Sequence, residues 1–295
     1  MLKPALSGTA ILLSALSGSP VAAAQESGAL HEVADGLYRY TAGHYHSMVW
    51  VTDEGIAVLD TLNPEAAAGL KDQLGARFDQ PVRYVIYSHN HYDHSYGGEV
   101  FDVPGTEFVA HEMAYQAMAR SKAETVLPET TFTDQMMIRM GGETLELRYH
   151  GPNNGYGSVS MRFPQQEVLF VVDWIVVGRM PYQSLEGYDI EGMITSTEDV
   201  LALDWKTFVG GHAEIGTRAD VERYLSYIKA LYEAVREGML AGESLETLQE
   251  EIQLDSYGDL ANYDDWRAAN IAGVYRLLAD RNYMLKRPEV AETQP

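Results

Sequence analysis

A chain of 295 residues with 43 acidic against 21 basic side chains carries a net charge of −22, a field that repels nucleic acid backbones and anionic membrane surfaces. Its 46% hydrophobic content supports an ordinary globular core, in one large domain or two small ones. With no cysteine, it has neither a disulfide framework nor a thiolate ligand for a metal.

The N-terminus reads as a secretory signal peptide over residues 1–24. Lys3 supplies a positive charge, residues 10–16 a short apolar run, and Val21-Ala22-Ala23-Ala24 a small-residue cleavage site. The run is too short and too interrupted to span a bilayer, and no later run is long enough. These features predict a periplasmic or secreted protein without a membrane partner, starting near Gln25.

Strands are expected over residues 37–41, 48–52 and 55–60, the last two joined tightly at Asp53-Glu54-Gly55. Asn63 and Pro64 then read as the cap and first turn of a helix reaching about residue 78. Residues 82–87 form an apolar, β-branched run that reads as a buried strand. It leads into Ser88-His89-Asn90-His91-Tyr92-Asp93-His94-Ser95-Tyr96-Gly97-Gly98, which places three imidazoles and one carboxylate within six residues. A lone loop histidine is usually a surface residue. This density after a strand suits zinc, or iron or manganese, better than calcium or magnesium. His89 and His91, two apart, can reach one metal, while Asp93 and His94 are offset and can reach a second.

On this motif the chain resembles the metallo-β-lactamase superfamily over most of its mature length. The resemblance implies an α/β fold, a four-layer αβ/βα sandwich with one or two metals at the edge between its sheets. Zinc β-lactamases with a cysteine in the second site are excluded as close relatives, and the acidic charge weighs against the family's nucleases. The loop matching residues 43–47 lies near the metals in the family. His44 and His46 are therefore candidate substrate contacts, beside the plainer reading of ordinary loop histidines.

Next come a strand around residues 108–110, ended by a structural His111, and a helix over 112–122. Strands at 136–140, 145–149, 159–163 and 168–172 suggest the second sheet. Between two of them lies Gly151-Pro152-Asn153-Asn154, where family members have a histidine as third ligand of the first metal and this chain has Asn154. An amide oxygen is a weaker donor to zinc than imidazole. Asn154 ligates a weak first site, or His150 reaches in, or that site is empty. The apolar strand ending in Asp173 matches the family's bridging aspartate, and the strand ending Gly210-Gly211-His212 matches its last ligand. In the loop between them, Tyr182 or Arg179 is a candidate substrate contact.

Helices are expected at residues 190–203, 219–237, 245–252 and 266–279. The resulting organisation is a leader at 1–24, a metallo-β-lactamase-like domain at 25–217, a helical extension at 218–287 packed on the same domain, and a disordered tail at 288–295. The extension could cap the active site or form a dimer interface, a homodimer being compatible with either, or could simply be an outer layer.

The resemblance implies a second metal site of Asp93, His94, Asp173 and His212, and a first site of His89, His91 and Asp173, with Asn154 in question. Two metals about 3.5–4 Å apart can share a hydroxide for attack on a carbonyl, with Asp93 orienting the nucleophile. A lactam, lactone, ester or thioester of a small-molecule substrate fits this machinery. The alternatives are a mononuclear-metal oxidoreductase and a non-catalytic metal-binding periplasmic protein with a degenerate first site.

Overall fold

The computed structural model describes residues 28–282, so the expected leader and tail lie outside the described residues. Within them the strands form two sheets. The first runs β1 (Ala29–Ala34), β2 (Leu37–Ala42), β3 (Tyr45–Val51), β4 (Ile56–Leu59), β5 (Val82–Ile86), β6 (Glu107–His111) and β7 (Thr130–Phe132), each hydrogen-bonded to the next. It is antiparallel from β1 to β4 and parallel from β4 to β7. The second has the order β12-β11-β10-β9-β8, with β8 (Gln135–Met140), β9 (Glu143–Tyr149), β10 (Val159–Phe163) and β11 (Val168–Val171) antiparallel. Only β12 (Thr207–Gly210) joins it in parallel.

The central strands β4, β6 and β11 are buried on both faces because both faces are covered. Trp50, Leu59, Ile86 and Val109 of the first sheet meet Leu145, Leu147, Met161 and Phe163 of the second in the central core. The outer face of the first sheet buries Val58 and Val85 against Leu70 and Leu74 of α1 (Pro64–Arg77) and Met118 of α3 (Glu112–Ser121). The outer face of the second buries Leu169, Val171 and Phe208 against α4 (Ile190–Leu201), α5 (Arg218–Ala241) and α7 (Tyr263–Asn282). The result is the four-layer sandwich expected from the sequence, with the helical extension continuing its last layer.

Local chemistry explains the boundaries. Asn63 caps α1 by accepting the Ala66 N–H, and Pro64 occupies the first turn, where no N–H is required. α5 opens on Thr217 and Asp220, whose side chains satisfy each other's backbone N–H groups. β1 and β7 had no signal in the sequence. In β1 only Leu30 is buried, so pairing of its backbone with β2, and not an apolar period, makes it a strand.

The C-terminal helix also holds the loop that follows Asp173. Asn270 of α7 is fully buried, donates to the carbonyls of Pro181 and Gln183, and accepts from the Tyr227 hydroxyl. Arg276 donates to the carbonyl of Ser184, and Arg281 pairs with Asp189. Replacing Asn270 by Leu keeps the branched shape of the side chain and removes its three hydrogen bonds, to Pro181, Gln183 and Tyr227. The expected loss is about 2–3 kcal/mol, read as a lower midpoint in urea unfolding; an unchanged midpoint would show that the loop does not depend on Asn270.

Candidate metal centre

The carboxyl ends of parallel strands from both sheets converge at one edge, where α/β proteins commonly place their ligands. β5 delivers Ser88 to His94, the last within the short helix α2 (Tyr92–Ser95). β11 delivers Asp173, and β12 delivers His212. Ligand atoms of His89, His91 and Asp173 lie within 4.8 Å of one another, and so do those of Asp93, His94 and His212.

Asp173 joins the two groups. Its Oδ2 lies 3.0 Å from His89 Nε2 and 3.3 Å from His91 Nδ1, while its Oδ1 lies 3.2 Å from His94 Nε2 and 2.9 Å from His212 Nε2. One carboxylate thus turns one oxygen to each histidine pair. The residue adopts φ +68°, a left-handed conformation that aspartate tolerates better than most residues and that clusters at functional sites. Burial alone would raise its carboxyl, but the imidazoles of His94, His89 and His212 packed around it hold it well below the ordinary range. For His94 burial opposes protonation, yet Asp173 and Asp60 raise it well above the usual imidazole value.

Groups behind the histidines set their tautomers. The Ser88 hydroxyl donates to Asp60 Oδ2 at 2.7 Å, so toward His89 Nδ1, 2.8 Å away, it can only accept. The proton of His89 therefore sits on Nδ1, and Nε2 keeps its lone pair for the centre. His212 Nδ1 faces the His44 carbonyl at 2.8 Å, which also only accepts, and so frees Nε2. Behind His94, Nδ1 lies 3.6 Å from Asp60 Oδ2. Asp60 is fully buried, sits at φ +68° and also accepts the Ser88 backbone N–H at 2.7 Å. It backs one histidine of each group, the arrangement that orients metal-binding imidazoles.

Cation binding fits these residues on a further count. His89 Nε2, Asp173 Oδ1 and Asn154 Oδ1 are buried without a hydrogen-bond partner, a costly condition that a coordinated cation removes. Asn154 is 1% exposed, and a Cβ built on Gly187 would lie 3.8 Å from both Asn154 Oδ1 and His91 Nε2, so the amide oxygen flanks the first group. Gly211 is required for a similar closeness: a Cβ there would fall 2.6 Å from Val172 Cγ1 and 3.1 Å from His94 Cε1.

The profile of the Metallo-beta-lactamase superfamily matches residues 40–212, from β2 through the last histidine of this centre. The chain belongs to the metallo-β-lactamase superfamily. As a superfamily member it shares its fold with a metallo-beta-lactamase from Pontibacter korlensis, at a TM-score of 0.62 and 20% identity over 68% of this chain and 99% of that one. Two curated relatives come from Nocardioides sp. (strain JS1661). The alpha subunit of 2,4-dinitroanisole O-demethylase is 26% identical over 77% of this chain and 67% of its own length. The beta subunit is 27% identical over 68% and 63%, so the match spans less than two thirds of that relative. The superfamily match stops short of α5, α6 (Leu245–Glu251) and α7.

Of the candidate substrate contacts, Tyr182 is 53% exposed in the loop after Asp173, with its ring edge-on to Trp266 at 5.3 Å. His44 is exposed, and its carbonyl receives His212 as above. His46 lies on β3, 7% exposed, with Nδ1 3.0 Å from Thr41 Oγ1 and a further hydrogen bond to the backbone at Ala213. Its N–H donates to the carbonyl of Gly211, so in this superfamily member it tethers the segment that carries His212. His150 is turned away, between Ser160 at 2.8 Å and Asp199 at 3.4 Å, and packs on Trp174. Among the described residues, no helix is long and apolar enough to cross a membrane.

Burial, then the charge of Arg39, pushes the His46 imidazole down to about 4. Between that value and the ordinary 6.5, the unfolded chain binds the proton that the folded chain refuses, so His46 makes stability rise with pH through this window. Unfolding at pH 7 and at pH 4.5 should therefore differ more for the wild type than for His46→Gln, by about 2 kcal/mol. An identical pH dependence in the two proteins would show that His46 is solvated.

Sequence reasoning passed over Asp60, Ser88 and Tyr45. The Tyr45 ring lies 5.3 Å from that of His212 and 6.0 Å from that of His94, at the open side of the centre. The left-handed aspartate after β4 gives no sequence pattern of its own, and Ser88 has meaning only beside it.

Proposed function

We propose that this chain is a metal-dependent hydrolase that binds a pair of divalent cations, zinc first among them, and acts on a small-molecule substrate. The observation that supports it best is Asp173, with one oxygen toward each histidine pair. His89, His91 and Asn154 would hold the first cation, Asp93, His94 and His212 the second, and Asp173 both. Bound there, such cations supply a water ionised near neutral pH and an electrophile for the substrate oxygen. Asp93, half-buried at the second group, orients the attacking water and accepts its proton. Asp60 and Ser88 keep the imidazole lone pairs directed inward. Export to the periplasm or medium is part of the proposal and rests on the leader at residues 1–24.

Carbonyl-type substrates, a lactam, lactone, ester or thioester, suit these residues. The names of the two Nocardioides relatives favour a second class, an ether methyl group on an aromatic ring. The tyrosine rim formed by Tyr45, Tyr92 and Tyr182 suits such a ring, Tyr92 being 69% exposed.

The test combines metal content, by mass spectrometry of the purified protein, with turnover of 4-nitrophenyl acetate, a thioester, a lactone, a lactam and 2,4-dinitroanisole. About two cations per chain and a turnover lost in His94→Ala are expected. Binding of a single cation, tightened to two in Asn154→His, would move the chemistry to a mononuclear site. Full metal occupancy with no turnover of any class would remove the hydrolase reading and leave a metal-binding protein.

A further inference from the structure

The superfamily match ends at His212, yet α7 reaches back to the loop beside the ligands. Arg179 lies in this loop, its backbone bridged to Ala261 just before α7. Its guanidinium stands 5.4 Å from the Trp266 ring of α7, and the Tyr182 ring meets Trp266 at 5.3 Å. Among the described residues, no carboxylate pairs with Arg179, and its buried Nε–H has no acceptor. The hydroxyl of Tyr224, a residue 2% exposed, also has no partner, and Arg179 is close enough to act on it electrostatically. Two donors without an acceptor are costly in the folded chain. In a protein of net charge −22, an arginine in this loop without a carboxylate partner is still less expected.

The loop runs on to the centre. The Tyr188 phenol bonds the Tyr182 backbone and feels the charge of Asp173, and Gly187 adjoins Asn154 and His91. Tyr182 is exposed in this loop and lies within electrostatic reach of Tyr45, beside the His94 and His212 rings.

Resting on the hydrolase reading of the centre, we propose that Arg179, Tyr182 and Trp266 form a substrate subsite for an aromatic ring bearing an anionic oxygen group. The ring stacks on Tyr182 and the oxygens accept from Arg179, which Trp266 holds in place. The C-terminal extension is then a specificity element, since Trp266 belongs to it and Asn270 fixes the loop that carries the other two.

The probes are 4-nitrobenzenesulfonate, whose sulfonate is a poor ligand for zinc, and uncharged nitrobenzene, titrated by calorimetry into the metal-loaded full chain. The sulfonate is expected to bind at least about tenfold more tightly than nitrobenzene, the scale of a charge-assisted hydrogen bond. Arg179→Gln should abolish that preference and leave nitrobenzene binding unchanged. Tyr182→Ala, at a half-exposed position where the fold should persist, should weaken both probes several-fold. His94→Ala should bind both as the wild type does. No preference for the sulfonate, a preference surviving Arg179→Gln, or its loss in His94→Ala would each overturn the subsite. Because these titrations need no turnover, normal binding beside an inactive centre would remove the hydrolase reading and keep the subsite.

Discussion

Asp173→Asn is expected to fold, to lose at least one of two cations per chain and to lower activity by about 10³-fold. Asparagine tolerates the left-handed backbone at this position and has nearly the same shape. What changes is that one carboxylate oxygen becomes an N–H₂ group, which cannot coordinate a cation. Because Oδ1 and Oδ2 face different histidine pairs, one group keeps its donor and the other does not. A lost metal removes several kcal/mol of charge stabilisation from the reaction, and that sets the size of the expected effect. Metal content of the dialysed variant is the measurement. Two cations retained at native affinity would show that Asp173 does not bridge.

The second large effect is expected at Asp60, which touches neither proposed cation. Asp60→Ala removes the acceptor of the Ser88 N–H and hydroxyl and the carboxylate behind His94. The freed Ser88 hydroxyl can then donate to His89 Nδ1, which places the imidazole proton on Nε2 and takes the lone pair away from the centre. Both cation affinities should weaken by about 10–100-fold, as when a partner behind a ligand is lost. Stability of the metal-free chain should fall by about 2–3 kcal/mol, because buried donors are left unpaired. Asp60→Asn retains one oxygen and should lie between the two. Chelator competition reads the affinities separately, and weakening at one site alone would remove Asp60 as a shared support.

Chemistry that acts between near neighbours in the chain was open to sequence reading. His89, His91, Asp93 and His94 lie close in sequence, so their spacing alone suggested two groups, and the fold gathers them as His89 with His91 and Asp93 with His94. Asn63 and Pro64 mark a helix start because the capping hydrogen bond spans three residues. Apolar runs such as residues 168–172 indicated strands buried on both faces. The strand-end positions of Asp173 and His212 were read from the apolar runs before them and their roles from the resemblance; the two sheets bring both residues to one edge.

The tertiary structure decided what depends on partners far along the chain. His46 looks like a loop histidine in sequence, but β2, β3 and the segment after β12 enclose it and use both its ring and its N–H. β1 is a strand only because β2 lies beside it. Asp60 shows no motif, since its importance comes from Ser88 and His94 meeting it across a parallel strand pair. The C-terminal helices read only as amphipathic. That α7 holds the loop after Asp173 follows from buried hydrogen bonds between Asn270 and carbonyls nearly ninety residues away, 89 positions for Pro181 and 87 for Gln183. Pairings at such separations leave no local period, because backbone carbonyls are the same at every residue and only the fold selects which of them a buried side chain meets.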